Sequence, residues 1–227
     1  MEKFEKEKLP DNYYQLFPLK NLSGFSSLLN NHPELAGLNV TIPYKEKIIP
    51  YLDKLDQKAI EIGAVNTIKI MRVNGKTLTR GYNTDEDGFF LSTGFSGVSH
   101  AFILGTGGAS RAVAYTLEKL GIPVTFVSRN PRNTHMISYP DLQSIQFNKH
   151  TLIVNTTPLG MYPDIHSCPQ IPYNRLTPED FLYDLVYNPE QTLFLKNGAE
   201  RGTKTQNGLK MLQIQAEKSY EIWNRNE

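Results

Sequence analysis

The segment HAFILGTGGASRAVAYTLEKLG, residues 100–121, decides the fold class. Its first part is a short apolar run of the kind that forms a strand buried on both faces. Its last part, ASRAVAYTLEKLG, spaces its apolar residues as a helix does and closes on Gly121. Between the two lie Gly105, Gly107 and Gly108, with Ala109 opening the helix. Glycines at such a turn let the backbone approach a pyrophosphate, whose charge rests on the helix N-terminus. The spacing is not a full GxGxxG, so a purely structural strand-to-helix turn stays open on the motif alone.

The next strand, PVTFVSR, ends on Ser128 and Arg129, with Arg132 close behind. An NAD-preferring turn usually offers an acid here, about 20 residues past the glycines, to the ribose hydroxyls. Arginines in its place suit a phosphate, so the 2′-phosphate of NADP is the expected ligand. A solvated surface arginine is the plainer alternative.

Further along, TLIVNTT and DFLYDLVY read as strands. EQTLFLKNGAERG reads as a helix ended by Gly202, and GLKMLQIQAEKSYEIWN as a long amphipathic helix. Alternating strands and helices predict a parallel sheet. Towards the start, residues 38–42 predict a strand, and Pro43 to about Leu55 a helix interrupted at Pro50. Asn74-Gly75, between AVNTIKIM and KTLTRGYN, predicts a hairpin. Glu86 to about Thr93 predicts a short helix, while residues 1–36 are polar and hard to type. The fold class is therefore α/β with two lobes, the boundary falling within residues 86–99.

Bulk composition narrows the function classes. Lys+Arg of 24 against Asp+Glu of 23, in 227 residues, gives a formal net charge of +1. Such a balance provides no basic field for nucleic acid. No apolar run reaches the about 18 residues of a membrane span, and the start lacks an apolar signal core. Cys168 is the single cysteine, so neither an internal disulfide nor a cysteine metal cluster is expected, and a reducing cytoplasm is the simpler setting. The five histidines show no ligand spacing, and no metal is expected.

One residue fits badly. Lys45, in GLNVTIPYKEKI, falls in the first turn of the helix expected from Pro43, where an ammonium faces the positive end of the dipole.

The stretches NVTIPYKE, GAVNT, GYNTDEDGF, GTGGASRA, NTTPLGM, YDLVYNP and GLKMLQIQA occur in this order over nearly the whole chain. In that order they resemble the shikimate dehydrogenase family. The resemblance implies a substrate lobe, residues 1–86 with 209–227, and a Rossmann-like NADP lobe, residues 87–208. It implies reversible reduction of 3-dehydroshikimate to shikimate by NADPH. Lys45 and Asp85 match the family's catalytic pair. Thr41, Asn66, Tyr187 and Gln215 match its substrate contacts. Asn155, Thr156 and Thr157 match part of the cofactor wall, and Gly208 and Met211 the nicotinamide surround.

Each residue also has a plainer reading: Lys45 as a solvated lysine, Thr84 or Asp85 as a helix N-cap, Asn66 as a turn residue, Met211 as core. An NAD-preferring quinate/shikimate dehydrogenase and a catalytically impaired NADP-binding module are the alternative functions. A monomer or homodimer is expected. Family members open with an apolar strand and a Ser-x-Ser turn that are not found ahead of MEKFEKEKLPDNYY. On that ground the chain is expected to be a weaker and less stable enzyme than a longer relative.

Overall fold

The structure, a computed structural model, describes residues 2–94, 96–147 and 150–225. The chain divides into two units, Met1–Glu34 and Leu35–Glu227. The first contains helix α1 (Glu2–Lys6) and helix α2 (Phe25–Asn31). A tight turn at Leu22–Gly24 precedes α2, and the Asn21 side chain caps it by accepting from the Ser23 N–H. Leu22, Phe25 and Leu29 are buried, at the spacing of one helical face.

The second unit holds two sheets. The smaller is built from β1 (Gly37–Asn39), β2 (Lys54–Leu55), β3 (Thr67–Val73) and β4 (Lys76–Tyr82), in the order β1-β3-β4-β2. Helix α3 (Gln57–Ile62) lies between β2 and β3 in sequence. The predicted hairpin is β3–β4. Asn74 and Gly75 have φ of 50° and 75°, the positive values that a two-residue turn matching strand twist requires. Helix α4 (Asp85–Ser92) follows.

The helix expected over residues 43–55 does not form. Only one helical turn closes there, the Ile48 N–H donating to the Tyr44 carbonyl at 2.9 Å, before a 3-10 turn at Ile49–Tyr51. Pro50 has no N–H to donate and its ring would strike the carbonyl four residues back, so an α-helix cannot run through it. The strand before it is also shorter than expected, ending at Asn39. Lys45 consequently sits in an irregular turn and not at the start of a helix.

The larger sheet is wholly parallel. Its strands are β5 (His100–Leu104), β6 (Val124–Val127), β7 (Met136–Ile137), β8 (Thr151–Asn155), β9 (Phe181–Asp184) and β10 (Lys204–Gln206). Their order is β10-β9-β8-β5-β6-β7. Helices α5 (Gly108–Lys119), α6 (Tyr139–Ser144), α7 (Leu193–Ala199) and α8 (Leu209–Trp223) accompany it. Strand alternation splits β5 between two cores. Phe102 and Leu104 pack with Leu142, Ile153, Leu182 and Phe194. Ala101 and Ile103 pack on the other face with Val113, Leu117 and Val154. Strand order reverses at β5, which pairs with β6 on one side and β8 on the other. Ligands in such sheets bind beyond the carboxyl ends of the strands at that reversal.

Helix α8 ties the two sheets together. Met211 is buried in the larger core beside Phe89, while Trp223 donates from Nε1 to the Ile68 carbonyl of β3 at 3.0 Å. Its approach to α4 is close at Gly88, where a Cβ would lie 2.7 Å from the Met211 carbonyl oxygen. Gly88→Ala is therefore expected to lower stability by about 2 kcal/mol, the usual cost of forcing an extra methyl into packed backbone. Chemical denaturation would measure it.

Candidate active site

Three local features bring Lys45 to Asp85. The Lys45 carbonyl accepts from the Val65 N–H at 2.7 Å, which anchors the irregular turn beside Asn66. Asp85 is the first residue of α4, where the helix dipole favours a carboxylate. The hairpin then returns the chain from Thr67 to Tyr82, so that Asn66 and Thr84 stand side by side. The Asn66 Oδ1 accepts from the Thr84 N–H at 2.7 Å, and its Nδ2 donates to Asp85 Oδ1 at 2.9 Å. Lys45 Nζ donates to the other carboxylate oxygen, Oδ2, at 2.6 Å. Asp85 is thus held from both sides and is 7% exposed, against 15% for Lys45. Among the described residues Asp85 takes one of the three ammonium donors, which leaves two for a substrate.

Gln215 joins the same network, its Oε1 accepting from Asn66 Nδ2 at 3.3 Å. Behind it lies a buried hydroxyl cluster that sequence reasoning missed. The Ser219 and Thr67 hydroxyls are 2.7 Å apart, and those of Ser219 and Thr84 3.1 Å. Ser219 lies four residues after Gln215 on α8, a helical repeat that points to this cluster in hindsight. Thr41 and Tyr187 are exposed and make no side-chain hydrogen bond to the network among the described residues.

At the carboxyl end of β5, Gly105 has φ +112°, and a Cβ there would lie 2.7 Å from Thr156 Oγ1. Gly107 is the N-cap of α5 and supplies no side-chain cap. A Cβ on it would meet no atom within 4 Å. Ala109 is half-buried in the first turn of α5. Beyond β6, Arg129 and Arg132 are exposed and form no ion pair among the described residues. The Ser128 hydroxyl accepts from the Asn130 N–H at 3.2 Å. A helix start without a side-chain cap, a glycine turn and two exposed guanidiniums form a donor set that fits a phosphorylated dinucleotide.

The wall beyond β8 is organised from inside. Asn155 is fully buried, and its Oδ1 accepts from the Thr157 N–H at 3.0 Å and from the Thr157 hydroxyl at 2.6 Å. Thr156 donates to the Leu104 carbonyl at 2.7 Å. Asp184 underlies them. Its Oδ1 accepts from Asn155 Nδ2 at 2.9 Å and the Val186 N–H at 3.0 Å, and its Oδ2 from the Thr192 hydroxyl at 2.5 Å. Burial pushes the Asp184 carboxyl up to about 6, against the pull of those three donors. Gly208 is pressed against backbone, a Cβ there falling 2.2 Å from the Leu185 carbonyl oxygen. Asp184 was not singled out from the sequence, although an acid inside the apolar run FLYDLV was its signal.

Residues 1–68 match the shikimate dehydrogenase substrate binding domain. Shikimate dehydrogenase (NADP(+)) of Desulforamulus reducens is 37% identical over 240 residues, covering 94% of this chain and 76% of that protein. The chain belongs to the shikimate dehydrogenase family. Among solved structures of the family, shikimate dehydrogenase 1 from Peptoclostridium difficile superposes with a TM-score of 0.86 at 35% identity, covering all of this chain and 85% of that one. The enzyme of Thermus thermophilus, solved with NADP(H) and shikimate, gives a TM-score of 0.73 at 32% identity over 92% of this chain and 79% of its own. The two-lobed α/β fold expected from the sequence is the fold of the family. Among the described residues, no helix is long and apolar enough to cross a membrane.

Proposed function

We propose that the chain catalyses the reversible NADPH-dependent reduction of 3-dehydroshikimate to shikimate, a step towards aromatic amino acids. The observation that carries the mechanism is the 2.6 Å pair between Lys45 and Asp85, enclosed and anchored by Asn66. NADPH supplies the hydride when bound. This chain's own residues must hold the ketone, deliver a proton to its oxygen and keep water out. Lys45 hydrogen-bonds that oxygen with a free ammonium donor, stabilises the negative charge that develops there and passes the proton. Asp85 orients the ammonium and accepts from a neighbouring substrate hydroxyl. In the reverse direction Lys45 takes the proton back.

Thr41, Asn66, Tyr187 and Gln215 give the site a polar lining suited to a hydroxylated carboxylate. A site of this kind discriminates against analogues that leave one of its polar groups unpaired. Gly105, Gly107 and the start of α5 would hold the pyrophosphate. Ser128, Arg129 and Arg132 would hold the 2′-phosphate, and Thr156, Thr157, Gly208 and Met211 would border the nicotinamide. Under this reading residues 1–86 and 209–227 make the substrate lobe and 87–208 the cofactor lobe. A single cysteine, Cys168, fits a cytoplasmic setting, and the working unit is a monomer or a homodimer, which light scattering would decide.

The test is NADP⁺ reduction followed spectrophotometrically with shikimate, with quinate and NAD⁺ as comparators. Shikimate with NADP⁺ is expected to be the fastest pair. Faster turnover with NAD⁺ would favour a quinate/shikimate dehydrogenase. No turnover with intact NADPH binding would leave a cofactor-binding module. Arg129→Ala is expected to weaken NADPH binding about tenfold or more, the worth of one charged hydrogen bond, and to leave NADH binding unchanged. Fluorescence titration reads both.

A further inference from the structure

One face of α5 carries Gly108, Arg111, Ala112 and Tyr115 at helical spacing, and all four meet α3, the loop after it or the Lys45 turn. Ala112 shares an apolar cluster with Ile62 and Ala64, against which Tyr115 packs. Tyr115 donates its hydroxyl to Glu61 Oε2 at 2.6 Å. Arg111 pairs with Glu46, the residue after Lys45, at 2.9 Å. At the head of this face Gly108 lies against Lys45 itself. A Cβ on Gly108 would fall 2.7 Å from Lys45 Cβ, 3.2 Å from Ala64 Cβ and 3.4 Å from Lys45 Cδ.

The three turn glycines therefore have different reasons to be glycine. Gly105 needs its positive φ, and a Cβ on Gly107 would meet nothing. Gly108 is not among the residues of positive φ, and what a side chain there would strike first is the stem of Lys45, with Ala64 Cβ next. That stem has little room to yield. Lys45 is fixed through its carbonyl to Val65, and its neighbour Glu46 to Arg111. A clash at Cβ cannot be relieved by rotating the outer methylenes, because Cβ moves only with the backbone.

We propose that Gly108 is a positioning residue for the reaction. By lacking a side chain it lets the Lys45 stem lie on the first turn of α5, which aims Nζ at Asp85. The proposal rests on the reading of Lys45 as the proton-transfer residue. The backbone N–H of Gly108 stays with the cofactor at the start of α5, while the absence of its side chain serves the lysine.

The experiment compares four chains: the wild type, Gly108→Ala, Lys45→Gly and the double variant. Turnover with shikimate, NADPH affinity by fluorescence titration and the thermal midpoint are measured for each. Gly108→Ala is expected to lower kcat about a hundredfold, the scale of a reacting group displaced by an ångström, with NADPH affinity kept and the midpoint lowered. In the Lys45→Gly background, where only the Ala64 Cβ at 3.2 Å still opposes it, adding Gly108→Ala is expected to lower the midpoint by much less than in the wild-type background. If Gly108→Ala alone does not fold, a cooperative melt of the double variant close to that of Lys45→Gly gives the same support. Wild-type turnover in Gly108→Ala would overturn the proposal, as would an equal loss of midpoint in both backgrounds, or a loss of activity that follows a loss of NADPH affinity. Normal turnover in Lys45→Gly would instead overturn the underlying reading of Lys45.

Discussion

Replacing Lys45 by methionine is expected to lower kcat by about three orders of magnitude, combining the loss of a general acid with the loss of a charged donor to the developing oxyanion. NADPH affinity is expected to stay at the wild-type level. Methionine keeps the stem that packs on Gly108 and removes only the ammonium, so the fold of the turn survives. The effect divides between kcat and KM in a diagnostic way. An interaction made chiefly in the transition state reduces kcat and kcat/KM together, whereas one made equally with the bound ketone raises KM alone. The first pattern is expected. Asp85 is left with Asn66 as a side-chain partner, so part of the loss in kcat reflects a carboxylate without its counter-charge.

The largest stability effect is expected at Asp184. Asp184→Ala leaves three buried donors, from Asn155, Val186 and Thr192, facing no acceptor. Each orphaned donor costs about 1–3 kcal/mol, and Asn155 recovers part of its share through the Leu159 carbonyl at 3.3 Å. A net loss of about 3 kcal/mol corresponds to a thermal midpoint about 10 °C lower in a chain of this size. Asp184→Asn keeps an acceptor oxygen and is expected to melt close to the wild type. The two variants also differ in their response to pH. The folded carboxyl titrates at about 6, above its ordinary value of 3.8. The fold therefore binds the proton more tightly than the unfolded chain does. The stability so gained is fully present below about pH 4 and is lost as pH rises through about 6. Over that window the wild type is expected to lose stability relative to Asp184→Asn, and melting curves at matched ionic strength would measure the difference.

The sequence is most informative where one local rule decides the outcome. Asn74-Gly75 announces the hairpin because only a positive-φ pair can close it. The stretch from β5 through α5 announces the parallel sheet because a buried strand, glycine turn and amphipathic helix occur together. Elements of two or three residues, such as β2, β7 and β10, contain too few periods for a pattern to register, and neighbouring strands induce them. The helix expected after Pro43 failed for a different reason. Pro50, expected only to interrupt that helix, leaves a single turn before it and a 3-10 turn around it, and with the helix goes the argument that Lys45 opposes a dipole. Its enclosure and its carboxylate partner are what set the lysine apart from a solvated one.

The candidate site was legible as types of residue and not as an arrangement. Lys45 and Asp85 could be named because NVTIPYKE and GYNTDEDGF resemble the stretches that hold the family's catalytic pair. The hairpin sets Asn66 beside Thr84 and Asp85; that Gln215 joins them depends on α8 returning to the smaller sheet, which no local pattern encodes. The same holds for Gly108, whose neighbour Lys45 lies far away in the chain and on another element.

The most direct test is a single-turnover measurement with enzyme in excess over shikimate and NADP⁺ saturating, comparing the wild type with Lys45→Met. The wild type is expected to form reduced cofactor in one fast phase, its amplitude set by the equilibrium between the bound substrates and products. The variant, with NADPH binding unchanged, is expected to form it about a thousandfold more slowly. A fast phase of the same rate in both proteins would contradict the assignment of proton transfer to Lys45.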